Sequence, residues 1–343
     1  MFNYDRPFSF HFELTDKCNA RCPQCSRNTI HNKTGVLSQR TNLLNKSMTY
    51  NDYKKVFYNF NYKINKMLYC GNFGDPIAAK DFKDIIKYTV KSLKPTYIQI
   101  NTNGGLKTTS WWKEMGTILS SSPHKVIFAI DGLEDTHSKY RVNTDFNKII
   151  DNAKAFISSG GKAEWSLIIF KHNQHQVEEV RKQAENIGFE SFSSVETQRF
   201  GIKEEIRFNF KGEDYLLEPA DINKQEVQAT TSSFMSGEIK DIDCISQNRN
   251  EIFIDPAGEV YPCCWIGSRD YADRYLKMNL EKDSVYELRP SINCVERPLE
   301  DCLRHDWFEY VLPISFVNKP CKTCNRVCGH GLRKKNNRQE LGN

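Results

Sequence analysis

Short apolar runs alternate with amphipathic stretches along the first two hundred residues. Six of the runs are candidate strands: FSFHFEL at 8–14, KMLYCG at 66–71, TYIQIN at 96–101, KVIFAI at 125–130, EWSLIIF at 164–170 and a weaker one near 190–196. Between them, FKDIIKYTVKSL, FNKIIDNAKAFISS and QVEEVRKQAENIG carry apolar residues at three- and four-residue spacing, the period of a helix with one buried face. Strand–helix alternation with short connections predicts consecutive βαβ units around a parallel sheet. Six units are too few for a closed eight-stranded barrel. The expected fold is therefore α/β, a partial (β/α)6 TIM-like barrel with its chemistry at the C-terminal ends of the strands.

With 343 residues and roughly 150 per domain, two domains are expected. A composition of 39% hydrophobic and 27% charged residues excludes a largely disordered chain. No apolar run approaches the ~20 residues of a spanning helix, and Asp5, Arg6 and Glu13 interrupt the N-terminus before a signal peptide could form. A cytoplasmic protein with no membrane partner is expected. The net charge is +5, and Arg333, Lys334, Lys335 and Arg338 gather at the C-terminus. A solvated tail is expected there rather than a nucleic-acid stripe.

Twelve cysteines without a secretory signal point to metal or redox chemistry rather than to disulfides. Three lie together (Cys18, Cys22, Cys25), Cys70 stands apart, and the other eight begin at Cys244. This spacing divides the chain into 1–205, a polar linker at 206–240, and a small cysteine-rich α+β domain at 241–343 that carries the basic tail. In TDKCNARCPQC, three thiolates from one loop can wrap a single metal centre. A structural zinc site would want a fourth ligand, and so ordinarily would an iron–sulfur cluster. A cubane on three thiolates leaves one iron open; half of a zinc knuckle is the alternative. Cys70, placed inside a strand, is expected to be a small buried hydrophobe.

Downstream, NEIFIDPAGEVYPC reads as a hairpin turning at DPAG. The hairpin brings its flanking cysteines, Cys244 and Cys263, together, and CKTC supplies Cys321 and Cys324. These four suffice for one further cluster. Cys302 sits in a helical pattern and is expected to pack. Cys328 competes for a place among the four, and a zinc site on Cys321, Cys324, Cys328 and His330 is the alternative at this end.

The loop CNARCPQC after the first strand resembles the cluster-binding loop of the radical S-adenosylmethionine (radical SAM) enzymes. Three further matches follow in that family's order: GNFGDP at 71–76, NTNGG at 101–105, and FAIDG followed by EDTHSKYR across 128–141. The resemblance spans about residues 8–195. It implies a [4Fe-4S] cluster on Cys18, Cys22 and Cys25 with SAM on the open iron. It further implies that Gly74, Asp75 and Pro76 lie in the turn whose backbone meets the SAM amino group. Asn103 would stand at the ribose, and Asp131 in the motif whose arginine, Arg141, meets the SAM carboxylate. Departures from the family pattern are Asp75 for Glu, Ala129 for Ser, and Gln24 where an aromatic is common.

The C-terminal cysteines resemble the SPASM and twitch extensions of the same enzymes. No cysteine follows Cys328, which favours the shorter twitch form with one auxiliary [4Fe-4S] cluster on Cys244, Cys263, Cys321 and Cys324. The resemblance implies a radical SAM oxidoreductase or modifying enzyme served by a reduced flavodoxin- or ferredoxin-type electron donor. The expected substrate is a small molecule (sugar, cyclitol or nucleotide), with a peptide or protein side chain as the alternative. Only seven residues precede the first strand, which weakens the peptide reading. A non-catalytic zinc- or nucleic-acid-binding protein is the alternative from another class.

Overall fold

The computed structural model describes residues 1–121, 123–197, 199–200, 204–221, 242–274, 289–329 and 339–340. The basic tail, His330 and positions 222–240 of the expected linker lie outside these residues. The strands are β1 (Phe8–Phe12), β2 (Asn28–Ile30), β3 (Leu37–Gln39), β4 (Ile64–Tyr69), β5 (Tyr97–Thr102), β6 (Lys125–Ala129), β7 (Ala163–Ile169), β8 (Ser191–Glu196), β9 (Ile206–Phe210), β10 (Glu213–Leu217), β11 (Glu251–Ile254), β12 (Val260–Tyr261) and β13 (Gln339–Glu340). Between them run helices α1 (Tyr50–Val56), α2 (Phe82–Tyr88), α3 (Thr109–Leu119), α4 (His137–Tyr140), α5 (Phe146–Ile157) and α6 (Val177–Ile187), with further short helices beyond residue 244. Among the described residues, no helix is long and apolar enough to cross a membrane.

The chain forms two units. The first comprises Met1–Lys17, Asn42–Ile98 and Gly237–Lys335. All five residues of its β1 are buried, as a strand covered on both faces requires. It runs parallel to β4 on one side and to β11 on the other, with Phe10 opposite Met67 and Ile252. One face carries Phe8, Phe10 and Phe12. Phe10 meets Phe57 and Phe60 edge-on at centroid distances of 5.2 and 5.4 Å, the geometry that aligns a ring edge with a ring face. The expected hairpin forms as β11 and β12, antiparallel with Phe253 opposite Tyr261. In its turn Asp255 Oδ1 accepts the N–H groups of Ala257 (2.8 Å) and Glu259 (2.9 Å), and Gly258 takes the φ of +90° that the turn needs.

The second unit comprises Cys18–Thr41, Gln99–Ser236 and Asn336–Asn343. Within it β5, β6, β7 and β8 pair successively in parallel, and β13 closes antiparallel on β8. The expected six strands are thus β1, β4, β5, β6, β7 and β8, and the architecture is α/β around mostly parallel strands. Two hairpins, β2–β3 and β9–β10, are additions that the hydrophobic pattern does not announce.

Helix α5 buries Phe146, Ile149, Ile150, Ala153 and Phe156, an i, i+3, i+4 stripe. Asp145 caps its N-terminus by accepting the Lys148 N–H. It packs on α3 so closely that a Cβ on Gly116 would lie 2.3 Å from the Phe156 carbonyl oxygen. Alanine at position 116 would favour the helix by about 1 kcal/mol in isolation, but its methyl would push α3 off α5. We expect Gly116→Ala to cost about 1–3 kcal/mol net, read as a lower Tm. A Tm at or above the parent's would show that the two helices separate freely.

Candidate active site

Within the second unit the cysteine loop meets the residues that follow β5 and β6. The Cys25 N–H donates to the Cys22 carbonyl (3.1 Å) and the Asn28 N–H to the Cys25 carbonyl (2.9 Å), which winds the loop tightly. Asn28 Nδ2 also donates to the Cys22 carbonyl (3.0 Å). Beneath the loop Ala20 and Cys22 pack against Tyr140, Phe170, Phe200 and Leu217, with Cys18 and Cys25 at the edge of this apolar seat. Burial there pushes the Cys22 thiol up to about 11, against the pull of Arg141.

Asn103 Nδ2 lies 3.6 Å from Cys18 Sγ and donates to Asn19 Oδ1 at 2.9 Å. Its Oδ1 accepts the Gly105 N–H at 2.8 Å. The turn is held from behind, where Asn152 Nδ2 donates to the Gly104 carbonyl (2.8 Å). Asp131 follows β6 and is fully buried. Its Oδ2 accepts Arg141 Nε at 2.5 Å, and its Oδ1 accepts the Ile168 N–H at 2.6 Å. Burial raises the Asp131 pKa, opposed by Arg141 and by the Ile168 N–H. Burial alone would lower that of Arg141, but Asp131 and then Cys22 outweigh it and keep the guanidinium charged. From this anchored position Arg141 Nη1 points at Cys22 Sγ, 3.7 Å away.

His137 completes the corner. The Asp131 N–H donates to its Nδ1 (3.1 Å), so the proton sits on Nε2, which donates to Thr144 Oγ1 (3.0 Å). Thr144 Oγ1 in turn donates to the Arg141 carbonyl at 2.5 Å. Burial, then Arg141, lowers the His137 pKa to about 3 and keeps the ring neutral. The structure thus brings Cys18, Cys22, Asn103, Asp131 and Arg141 together. Sequence reasoning does not single out Asn19, His137 or Asn173, whose Nδ2 donates to the Asp131 carbonyl at 3.2 Å. Gln24 lies beside Thr197 and Arg199; its carbonyl accepts Arg199 Nη1 at 3.3 Å.

The GNFGDP turn belongs to the first unit. A Cβ on Gly74 would fall 1.8 Å from the Thr15 carbonyl oxygen, and one on Gly71 2.2 Å from that of Gly74, so both positions require glycine. The Asp75 N–H donates to the Lys17 carbonyl at 2.8 Å. Its Oδ1 accepts the Ile77 N–H at 3.0 Å, capping a short turn that starts at Pro76. The shortened side chain therefore serves the local backbone. Glu13, which sequence reasoning does not assign to the site, accepts the N–H groups of Phe73 (2.6 Å) and Gly74 (3.0 Å) on its Oε1.

The C-terminal cysteines of the first unit follow a common pattern. Cys244 and Cys321 are the N-cap residues of the helices at Ile245–Arg249 and Lys322–Cys328, and Cys263 precedes the helix Cys264–Arg274. Cys321 Sγ accepts the Cys324 N–H at 3.2 Å. Cys263 Sγ accepts from Ile266 and Trp265, and Cys244 Sγ from Gln247. Cys328 joins the group: an antiparallel bridge links Ile242 to Gly329, the Asp243 N–H donates to the Cys328 carbonyl (3.0 Å), and the Cys328 and Cys244 thiols are hydrogen-bond partners. Burial pushes Cys263 up to about 12. Cys244 is raised first by Cys328 and then by burial, and Cys324 first by Cys321 and then by burial. Among the described residues no three His, Cys, Asp or Glu side chains close around a single metal ion.

Cys302 is buried, as expected. Cys70 departs from expectation. Strand β4 ends at Tyr69, and Cys70 is only half-buried, in the turn that follows. Its carbonyl accepts His11 Nε2 at 2.9 Å instead of continuing the strand.

Comparison with solved structures finds the same fold in radical SAM enzymes. SuiB of Streptococcus suis bound to S-adenosylmethionine superposes with a TM-score of 0.56 at 14% identity, over 89% of this chain and 67% of that one. SuiB bound to its precursor peptide SuiA gives 0.53 at 14% identity, over 89% and 66%. anSMEcpe with bound AdoMet and the Cp18Cys peptide gives 0.54 at 15% identity, over 94% and 89%. At these identities the likeness is one of fold. The family model "Radical SAM superfamily" matches residues 12–184, just over half of the 343, and spans the cysteine loop, the glycine turn, Asn103, Asp131 and Arg141. The chain belongs to the radical SAM superfamily.

Proposed function

We propose that this protein is a radical SAM oxidoreductase or modifying enzyme whose [4Fe-4S] cluster is held by Cys18, Cys22 and Cys25. Members of the superfamily are enzymes, and membership implies the cluster and SAM. One observation carries the assignment to these residues: Asn103 and Arg141 each direct an N–H group at a thiol of the loop, at 3.6 and 3.7 Å. The donor set fits the group. Three thiols from one loop leave one iron open, the apolar seat keeps water back, and the two N–H groups compensate thiolate charge. When bound, the cluster would supply the electron for reductive cleavage of SAM to methionine and a 5′-deoxyadenosyl radical, the species that would take a hydrogen atom from the substrate.

The chain's own contribution is placement and exclusion. With Nε committed to Asp131, the Arg141 guanidinium is fixed in orientation, and its other N–H groups are offered to the SAM carboxylate. Asn103 shapes the Gly104–Gly105 turn at the ribose, and the backbone of the turn that holds Gly74, Asp75 and Pro76 takes the amino group. In our reading Cys244, Cys263, Cys321 and Cys324 would hold one auxiliary [4Fe-4S] cluster in a twitch-like arrangement, which would supply an acceptor for the substrate's second electron. It is supported by the backbone N–H groups that reach three of those sulfurs. A flavodoxin- or ferredoxin-type protein supplies the first electron. The substrate is a small molecule of the sugar, cyclitol or nucleotide kind. A peptide side chain is the second reading, favoured by the peptides bound to two of the neighbouring structures. Deuterium transfer from labelled candidates into 5′-deoxyadenosine decides between them.

Replacing Cys18, Cys22 and Cys25 together by Ala should abolish 5′-deoxyadenosine formation yet leave about four iron atoms per chain. Continued SAM cleavage by that variant would sink the assignment.

Arg141→Ala leaves the buried Asp131 carboxylate without its partner, which should cost about 3–5 kcal/mol of stability. SAM binding at full iron content should weaken about ten- to a hundredfold. Thermal unfolding and SAM titration read the two effects separately, and unchanged affinity would confine Arg141 to a structural role.

Cys321→Ala combined with Cys324→Ala should still cleave SAM while forming no product. Thermal unfolding must first show the double variant folded. Turnover at the parent rate would remove the electron-acceptor role.

A further inference from the structure

Glu13 stands just beyond β1 in the first unit and is 2% exposed. Its Oε1 accepts two successive backbone N–H groups, those of Phe73 and Gly74. No peptide bond among the described residues is cis, and in a trans peptide the N–H and C=O of one amide plane point in opposite directions. The Phe73 N–H shares its plane with the Asn72 carbonyl, and the Gly74 N–H with the Phe73 carbonyl. Drawing both N–H groups onto one oxygen therefore turns the carbonyls of Asn72 and Phe73 away from Glu13 together. The turn has little slack to relax otherwise, because Gly74 is pressed against the Thr15 backbone and the Asp75 N–H is tied to the Lys17 carbonyl.

We propose that Glu13 is a positioning residue for SAM: it sets the carbonyls of Asn72 and Phe73 to accept the ammonium of the SAM methionine. This rests on the radical SAM reading of the GNFGDP turn and adds to it a residue outside that motif. Glu13 acts by accepting two N–H groups at a given reach, not by its charge. An amide oxygen of equal reach can replace it, whereas a shorter carboxylate cannot.

The test measures equilibrium binding of SAM, and of desamino-SAM lacking the ammonium, to anaerobically reconstituted parent, Glu13→Gln and Glu13→Asp. Iron content and thermal unfolding are recorded for each. Glu13→Gln should bind SAM within about twofold of the parent, and Glu13→Asp about tenfold more weakly. The desamino analogue should bind all three alike, a selectivity that a general loosening of the fold would not produce. Parent-like SAM binding by Glu13→Asp, an equal loss in Glu13→Gln, or equal weakening of both ligands would overturn the proposal. Failure of the iron-replete parent to bind SAM would overturn the functional reading and the proposal with it, and is told apart by appearing without any substitution.

Discussion

The buried ion pair between Asp131 and Arg141 is the interaction on which the candidate site depends. A carboxylate taken wholly out of water is costly unless its oxygens find donors, and each oxygen of Asp131 has one. Arg141 Nε and the Ile168 N–H take its two oxygens, while its own N–H and carbonyl are taken by His137 and Asn173. One residue at the end of β6 thereby ties β7, α4 and the loop after β7 to a common point. The guanidinium cannot swing without stripping a donor from a desolvated anion. That constraint makes the 3.7 Å approach of Nη1 to Cys22 a fixed feature of the site, not one rotamer among several.

A neutral His137 fits this picture. A charged imidazole would carry a proton on Nδ1, where the Asp131 N–H already donates, and would stand beside Arg141. Burial and the neighbouring cation act in the same direction, so the corner holds a single positive charge. That charge faces the cysteine loop, where an anionic cluster would lie.

Much of this is legible in the sequence, and what is not has definite causes. Short runs that carry aromatic and aliphatic residues between turn-rich stretches read as strands, so FSFHF and EWSLII announce β1 and β7. The three-residue strands NTI and LSQ carry no period, and β2 and β3 go unseen. The site residues are legible as members of motifs, but their mutual contacts are not. Ten positions separate Asp131 from Arg141, and only the folded loop through α4 closes the gap. Glu13 is hidden because a polar residue at the end of an apolar strand looks like ordinary alternation. At Cys70 the run KMLYCG suggests a strand longer than the one formed, since nothing in it shows that His11 will claim the Cys70 carbonyl.

The C-terminal cysteines pose the converse problem, a group whose members the sequence names but whose protonation the fold decides. Left as thiols they are mutually discouraging: Cys244 and Cys324 are raised by the sulfurs beside them and then by burial, so neither ionises readily unaided. Yet the backbone directs N–H groups at Cys244, Cys263 and Cys321, an arrangement that stabilises sulfur most when it is anionic. A cationic centre that displaced the thiol protons would reconcile the two tendencies, because its binding would supply the charge that burial withholds. A purely apolar packing role would account for the burial but not for helix starts at three of the sulfurs. Cys328, tethered to Cys244 by its bridge and its thiol, lies inside the same group. With five thiols in one group, the choice of ligands for any centre bound there would be a property of the folded backbone, not of the CxxC spacing alone.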